Sequence, residues 1–204
     1  FANICAEHLY FYNLENLRHL LLRHGLYVQD VELNDINGGS FRVYCTKQDN
    51  THFRNLQQRD VASIRIETLE YFESDQYHLD DWNGFGENID ILKEQVVSFI
   101  KSEVNNGKTV YGLGASTKGN TLLQYFGLDN TLITKIAERN PVKHGLKTIG
   151  TEIPICSEEE MRRDKPDYLL VLPWHFLEEF KLREAEYLQQ GGRFIIPCPR
   201  FQII

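Results

Sequence analysis

The sequence predicts an α/β fold, a Rossmann-like parallel sheet with flanking helices on both faces. Two observations support this. From Lys108 onward, short apolar runs alternate with stretches of helical periodicity, which is typical of β-α-β units. The first apolar run also passes through a glycine-containing loop into a helix, in the stretch TVYGLGASTKGNTLLQYFG that starts at Thr109. Ligands of such folds bind at the carboxyl ends of the strands.

The elements of this sheet can be assigned in order. The apolar runs predict strands at residues 109–113, 133–137, 168–173 and 194–197. The predicted helices cover residues 119–126, 157–164 and 177–190. If the strands are neighbours, three loops converge on one crevice at their carboxyl ends, and these are residues 112–114, 138–140 and 173–175.

Residues 48–107 differ in composition and predict a helical linker. They are polar and charged, and their apolar residues recur at helical spacing. We expect two helices that are separated by a break at residues 80–84, the second of which ends near Gly107. The acidic residues between Glu67 and Asp81 are expected to lie on solvated surface, because unpaired carboxylates are rarely buried.

The first 47 residues predict a short strand, a helix and an antiparallel strand pair. Residues 1–5 are interpreted as the end of a strand, Asn13 as a helix N-cap and Gly25 as the stop of that helix. Strands are predicted at residues 26–33 and 41–45. A segment this short rarely forms a core of its own, so it is expected to need a partner sheet.

Composition excludes several classes of function. The chain has 22 Lys and Arg against 29 Asp and Glu, a net charge of −7, and no basic stripe, which argues against nucleic-acid binding. It has no signal-peptide pattern and no apolar run long enough to span a bilayer, so no membrane role and a cytoplasmic location are expected. Because the chain begins with Phe1 and its single methionine is Met161, we expect a piece of a longer protein.

The four cysteines do not predict a metal or redox site. Cys5, Cys45, Cys156 and Cys198 are far apart and form no C-x-x-C pair. Free, mostly buried thiols and no bound metal are therefore expected.

The glycine loop is the first candidate binding site. Its helix start offers unpaired N–H groups and a partial positive charge that suit a phosphate or carboxylate. The candidate ligand-binding residues are Gly112, Gly114, Ser116, Thr117, Lys118 and Asn120. However, the spacing G-x-G-x-x-x-x-G matches neither the dinucleotide fingerprint nor the phosphate loop. Two interpretations stay open at this stage: anion binding, or glycines that serve only strand-to-helix packing.

The other two loops offer further candidates with open alternatives. Glu138 follows the second strand, where a nucleotide-binding fold places the acid that binds a ribose hydroxyl, but a surface or capping carboxylate fits equally well. Lys118, Lys143 and His144 could meet a diphosphate, or the last two could be ordinary loop residues. Trp174 and its neighbours could line the crevice or anchor the core.

Several blocks resemble a known family. AEHLYFYNLENLRHLLLRHGLYVQDVELNDINGGSFRVY is similar to the closing part of the catalytic domain in S-adenosylmethionine-dependent sugar C-methyltransferases. YGLGASTKGNTLLQYFG, ERNPVKHGLKTIGTEIPI and DYLLVLPWHF resemble the C-terminal domain that follows. The resemblance implies that residues 1–47 trail a methyltransferase domain. Residues 48–204 would then form the C-terminal domain, with the linker at 48–107 and the Rossmann-like part at 108–204.

The resemblance implies a catalytic site at the start of the chain. His8 falls on the family's base and Glu7 on its partner, and methylation next to a ketone requires removal of an α-proton. Tyr10 and Tyr12 could hydrogen-bond the enolate oxygen. The family often has a tyrosine where this chain has Cys5, so it stays open whether another tyrosine serves or the substrate differs.

The implied function is that of the C-terminal portion of a C-methyltransferase acting on a nucleotide-linked keto-sugar or a similar small substrate. Its cofactor, S-adenosylmethionine, would be bound mainly by residues outside this chain, so the chain alone is expected to be inactive. Two alternatives stay open: a non-catalytic nucleotide or nucleotide-sugar binding module, and a structural or dimerising domain. The sugar, the methylated carbon, the nucleotide and the oligomeric state are left open by the sequence.

Overall fold

The computed structural model describes residues 2–5, 7–47, 56–75 and 79–204, with backbone alone for residues 56–60 and 79. The chain forms two compact units. The smaller unit is Tyr10–Phe85, and the larger unit combines Phe1–Leu9 with Gly86–Ile204. None of the described helices combines the length and the apolar character that crossing a membrane demands.

The smaller unit consists of two helices and an antiparallel strand pair. Its elements are α1 Leu14–Arg23, β1 Leu26–Asn34, β2 Ser40–Lys47 and α2 Leu56–Asp75. The Asn13 side chain caps α1 by accepting the Asn16 N–H at 2.8 Å, and Gly25 follows the helix at φ +70°. The predicted capped helix and strand pair are confirmed. The core of this unit is built on Leu14, Val31 and Ile66.

One expectation for this part of the chain needs correction. The acidic residues of α2 are not all solvated, because Glu73 accepts the Leu14 N–H and Glu70 pairs with Arg18 on α1. The turn between β1 and β2 includes Gly38 and Gly39 at φ +87° and +125°, a backbone conformation that glycine adopts without strain.

Helix α3 is Leu79–Asn105, so the predicted break at residues 80–84 is wrong. Asp80 and Asp81 instead occupy its first turn, where negative charge is favourable. The predicted strand at residues 1–5 is also wrong. Its described residues form a turn in which the Cys5 N–H bonds the Asn3 carbonyl and the His8 N–H bonds the Cys5 carbonyl, both at 3.0 Å.

The larger unit is built on a six-stranded sheet. Its strands are β3 Val110–Leu113, β4 Ile136–Glu138, β5 Ile155–Ser157, β6 Tyr168–Val171, β7 Arg193–Ile196 and β8 Gln202–Ile203. The spatial order is β5-β4-β3-β6-β7-β8, and every pair is parallel except β7 with β8. Strands β4 and β5 follow β3 on one side of it, whereas β6 and β7 lie on its other side. We call the place between β3 and β6, where the order of strands reverses, the crossover point.

Helices cover both faces of this sheet. They are α3, α4 Thr117–Phe126, α5 Glu158–Asp164, α6 Leu177–Arg183 and α7 Ala185–Gln189. Helices α3 and α4 pack with Val110 and Leu170 on one face, while α5, α6 and α7 pack with Tyr111 and Leu169 on the other. Successive residues of each strand thus face opposite layers, and both layers are apolar because the parallel sheet is buried on both sides.

The predicted α/β fold with a mostly parallel sheet is therefore confirmed. The four predicted strands are present, while β5 and β8, of three and two residues, were missed. The single helix predicted at residues 177–190 is in fact two. It is interrupted at Glu184, whose side chain is 1% exposed and accepts hydrogen bonds from the Arg162 guanidinium on α5.

Candidate functional site

The glycines of the loop after β3 are used for packing. At Gly114, with φ +85°, a Cβ atom would lie 2.7 Å from Cγ of Pro173. A Cβ atom at Gly119 would lie 2.7 Å from Cβ of Leu172, and one at Gly112 would lie 2.9 Å from Cγ1 of Ile136. Native Cβ atoms do not approach other atoms this closely. Gly114 and Gly119 therefore let the chain after β3 touch the residues after β6, and Gly112 lets β3 approach Ile136 on β4. At the crossover point the Pro173 ring packs directly on Gly114.

The start of α4 brings together several of the predicted polar residues. Ser116 is the N-cap, and its Oγ accepts the Gly119 N–H at 3.0 Å. Thr117 and Lys118 form the first turn, and burial lowers the pKa of the Lys118 ammonium. Oδ1 of Asn120 is buried and has no hydrogen-bond partner within the described part of the chain. A buried oxygen of this kind is suited to a donor from a ligand or water.

Glu138 connects two of the three loops. Its Oε2 accepts the Ala115 N–H at 2.7 Å, and its Oε1 accepts the Asn140 N–H at 2.9 Å. The side chain is 13% exposed and lies 3.8 Å from Lys143 Nζ. Both carboxylate oxygens thus bond to the protein backbone, so a ligand hydroxyl would have to share them.

Two residues that follow β4, Lys143 and His144, contact the backbone of the loops at Ala115 and Glu138. Lys143 Nζ donates to the Ala115 carbonyl at 2.6 Å, and the His144 ring Nε2 lies 2.7 Å from the Glu138 carbonyl. The three predicted loops do converge, since Gly114, Glu138 and Pro173 line a shared cleft of about 320 Å³.

A larger cavity, of about 750 Å³, lies along α4, and we call it the α4 cavity. One side is formed by residues of α4 and its cap, namely Ser116, Thr117, Asn120, Thr121, Gln124 and Tyr125. Another side is formed by the residues after β4, namely Lys143, Lys147, Thr148 and Ile149. Ile4, Cys5 and Glu7 line it as well. Hydroxyl, amide and ammonium groups, together with the Glu7 carboxylate, thus line a space large enough for a small organic molecule.

The cavity brings one residue of the predicted catalytic pair together with three of the predicted binding residues. Glu7 lines it together with Ser116, Thr117 and Asn120. His8 is exposed, and its Nδ1 lies 2.7 Å from the Asn3 carbonyl oxygen. Tyr10 and Tyr12, 75% and 46% exposed, belong to the smaller unit, where their ring centroids are 6.3 Å apart.

The turn after β6 holds two buried polar atoms. Trp174 packs against the apolar layers on both faces of the sheet, which is the anchoring role considered for it. Trp174 Nε1 and His175 Nδ1 are buried and lack a hydrogen-bond partner among the residues described. Burial, and then the charge of Lys118, lower the pKa of the His175 imidazole.

Sequence reasoning missed Lys147, Thr148 and Ile149. The one signal for them was the pair of glycines around this stretch, because Gly145 and Gly150 have φ +79° and +77° and shape the loop. Among the described residues, no three or more His, Cys, Asp or Glu side chains are grouped to hold a metal ion. All four cysteines are free thiols, two of them buried.

Comparison with known proteins assigns the chain to a family. Residues 35–199 match the family model of the C-methyltransferase C-terminal domain. The chain belongs to the C-methyltransferase family. It is similar to the C-methyltransferase NovU of Streptomyces niveus, with 32% identity over 205 residues that cover 100% of this chain and 47% of NovU. The chain thus spans about half the length of that curated relative.

Methyltransferases in general use S-adenosylmethionine. We therefore ask whether the residues at the crossover point could bind this cofactor. The glycine loop offers no open backbone cradle, because Pro173 and Leu172 occupy the space beside Gly114 and Gly119. The residues at the crossover point therefore do not fit this cofactor.

Proposed function

We propose that this chain is the C-terminal portion of a S-adenosylmethionine-dependent C-methyltransferase that acts on a nucleotide-linked keto-sugar. The observation that carries this proposal is that Glu7 shares the α4 cavity with Ser116 and Thr117. An acid beside the proposed base and a helix start suited to phosphate thus line the same space. Family membership supports the methyl-transfer chemistry.

His8 is the proposed base. The Asn3 carbonyl oxygen, 2.7 Å from Nδ1, can only accept a hydrogen bond, so Nδ1 carries the ring proton. In the neutral ring, Nε2 then holds the lone pair that takes a proton. In the proposed step, Nε2 removes the proton from the carbon beside the ketone, and the C–H electron pair becomes that of an enolate.

Three other residues support this step in the proposal. Glu7 would favour the charged imidazolium that the proton transfer creates, since an opposite charge stabilises it. Tyr10 and Tyr12, which follow in the sequence, would donate hydrogen bonds to the enolate oxygen. S-adenosylmethionine would supply the methyl group and would be held mainly by residues outside this chain.

The anionic part of the substrate would bind at the start of α4. The N–H groups of its first turn and the hydroxyls of Ser116 and Thr117 suit phosphate oxygens. Lys143 and Asn120 line the α4 cavity and would add charge and an amide. Lys118, in the first turn of α4, would add a second ammonium group, while Gly112 and Gly114 position the loop. Glu138, which holds Ala115 just before α4, would bind a hydroxyl of the substrate at this end of the helix by sharing an oxygen. We propose a cytoplasmic location, since four free thiols suit a reducing compartment.

The test measures proton removal separately from methyl transfer, in the complete C-methyltransferase. A nucleotide-linked keto-sugar is incubated in D₂O, and mass spectrometry follows deuterium uptake at the carbon beside the ketone. We expect His8→Ala to slow both uptake and methyl transfer by at least about a hundredfold, a typical effect of losing a general base. His24→Ala, an exposed histidine of the smaller unit, serves as the matched control and should change neither rate.

The outcomes separate the proposed enzyme from the alternative. If His8→Ala keeps near-normal uptake, the assigned base is wrong. If the wild-type protein binds the nucleotide-linked sugar but shows neither uptake nor methyl transfer, the chain serves as a non-catalytic binding module. The closed glycine loop and the open α4 cavity are compatible with binding in either case.

A further inference from the structure

The two ends of the α4 cavity differ chemically. The helix rises about 1.5 Å per residue, so Thr117 and Tyr125, both in the lining, are about 12 Å apart along the axis. The end near Thr117 holds the helix N-terminus, the Ser116 hydroxyl and Lys143, whose Nζ donates to the Ala115 carbonyl. The end near Tyr125 includes Ile149, whose carbonyl oxygen accepts the Gln124 amide, and the Tyr125 ring and the Ile149 side chain make this end the more apolar of the two. A ligand that fills the cavity would therefore need one anionic end and one apolar end.

The apolar end is both exposed and held in place. Tyr125 is 46% exposed and Ile149 is 78% exposed, which is high for such large apolar groups. The Tyr125 hydroxyl donates to Asp90 Oδ1 at 2.9 Å, and Lys93 Nζ lies 4.9 Å from the ring centroid. The Gln124 amide donates to the Ile149 carbonyl at 2.8 Å. An aromatic ring fixed in this way can bind a flat partner with little loss of side-chain entropy.

We propose that a nucleoside diphosphate lies lengthwise along α4, with its base against Tyr125 and Ile149 and its phosphates at Ser116 and Thr117. This inference rests on the proposed function and adds the direction in which the nucleotide lies. The phosphates meet the helix N-terminus and Lys143, and the base covers the exposed ring of Tyr125. The sugar attached to the distal phosphate then lies beyond the start of α4, away from Tyr125.

Tyr125 becomes a specificity-determining residue in this arrangement. Stacking on a protein ring tolerates every base, because each base has an apolar face. We therefore expect Tyr125 to distinguish nucleotides from simple diphosphates. It should not discriminate strongly between one base and another.

Calorimetric titration of the complete protein tests the proposal with thymidine diphosphate, uridine diphosphate and inorganic pyrophosphate. We expect Tyr125→Ala to weaken both nucleotides about tenfold or more and to leave the pyrophosphate affinity within about twofold. Tyr125→Phe keeps the ring and should retain most of the nucleotide affinity. Tyr44→Ala is the matched control, because Tyr44 is 42% exposed and its hydroxyl donates to Glu32 at 2.9 Å. It should change no affinity.

Each result has a defined meaning. If Tyr125→Ala binds nucleotides as the wild type does while thermal unfolding shows a folded protein, the lengthwise arrangement is wrong and the proposed function still stands. The same holds if Tyr125→Ala weakens pyrophosphate as much as the nucleotides. If the wild type binds neither nucleotide at millimolar concentration, the proposed function fails. If S-adenosylmethionine displaces the nucleotide from this cavity, both proposals are overturned.

Discussion

Two places on the carboxyl edge of the same sheet differ in what their residues are used for. At the crossover point, Gly114 lies against Pro173, and the close approach leaves no room for a side chain. Beside it, the α4 cavity is open and is lined by hydroxyl, amide and ammonium groups. The glycines thus form the rigid support, and the polar residues that follow them form the candidate site. Substitutions at the first place should reduce stability, and those at the second should reduce ligand binding.

Gly114→Ala should give the largest effect. Its Cβ would lie 2.7 Å from the Pro173 ring, and alanine at φ +85° is itself strained. We expect the free energy of unfolding to fall by about 3 kcal/mol, the combined scale of overpacking and left-handed backbone strain. Urea denaturation measures it. A loss below about 1 kcal/mol would show that the crossover point can open, and a ligand there would have to be reconsidered.

Gly119→Ala should act in the same direction with a smaller effect. The clash with Leu172, at 2.7 Å, is offset in part by the better helix propensity of alanine, so we expect a loss of about 1 to 2 kcal/mol. Gly84→Ala is the matched control. Gly84 lies inside α3 with nothing within 4 Å of an added Cβ, so this change should stabilise by up to about 1 kcal/mol. Equal effects at both glycines would refute the packing role.

Lys143→Met tests the α4 cavity, which Lys143 lines. It should weaken the binding of a nucleoside diphosphate about tenfold, since a charge-assisted hydrogen bond to phosphate is lost. The free energy of unfolding should fall by no more than about 1 kcal/mol, from the lost bond to the Ala115 carbonyl. Lys101→Met, on an exposed position of α3, is the control for charge alone. A large loss of stability with unchanged nucleotide affinity would show that Lys143 stabilises the fold and does not bind the ligand.

The smallest effect is a pH dependence at the edge of the crossover point. Burial and Lys118 lower the folded-state pKa of His175 below its ordinary value, so the unfolded chain binds more protons in that range. The free energy of unfolding should therefore decrease as pH falls through about 6.5, the ordinary histidine pKa. His175→Gln should flatten this slope in urea denaturation at a series of pH values. A slope that is unchanged by the substitution would contradict the assignment.

The sequence predicted the parts that depend on local patterns. The alternation around Val110, Tyr168 and Phe194 predicted the strands, and Asn13 and Gly25 marked the ends of α1. Strands β5 and β8 were missed because two or three residues carry no periodicity. The break at Glu184 depends on Arg162 from another helix, which no local pattern reveals.

The candidate site was also predicted only in part, because some of its residues are marked by local patterns and others depend on contacts between distant parts of the chain. Ser116 and Thr117 could be named as candidates because they lie where the strand passes through the glycines into the helix, although the predicted helix start at residue 119 was two residues late. The role of Gly114 in packing against Pro173 depends on a residue far along the chain. Likewise, Ile149 and Tyr125 meet through the fold, with the Gln124 amide bonded to the Ile149 carbonyl. Contacts of this range cannot be obtained from spacing in one sequence.

The most direct test of the central claim is to map a bound nucleotide by amide chemical shifts. The complete protein, labelled with nitrogen-15, is titrated with a nucleoside diphosphate. We expect the largest shifts on the first turn of α4 from Ser116 to Gly119 and on Lys147 to Ile149, with little change at Trp174 to Phe176. Shifts concentrated at Gly114 and Trp174 to Phe176, with the α4 cavity unaffected, would place the ligand at the crossover point and contradict it.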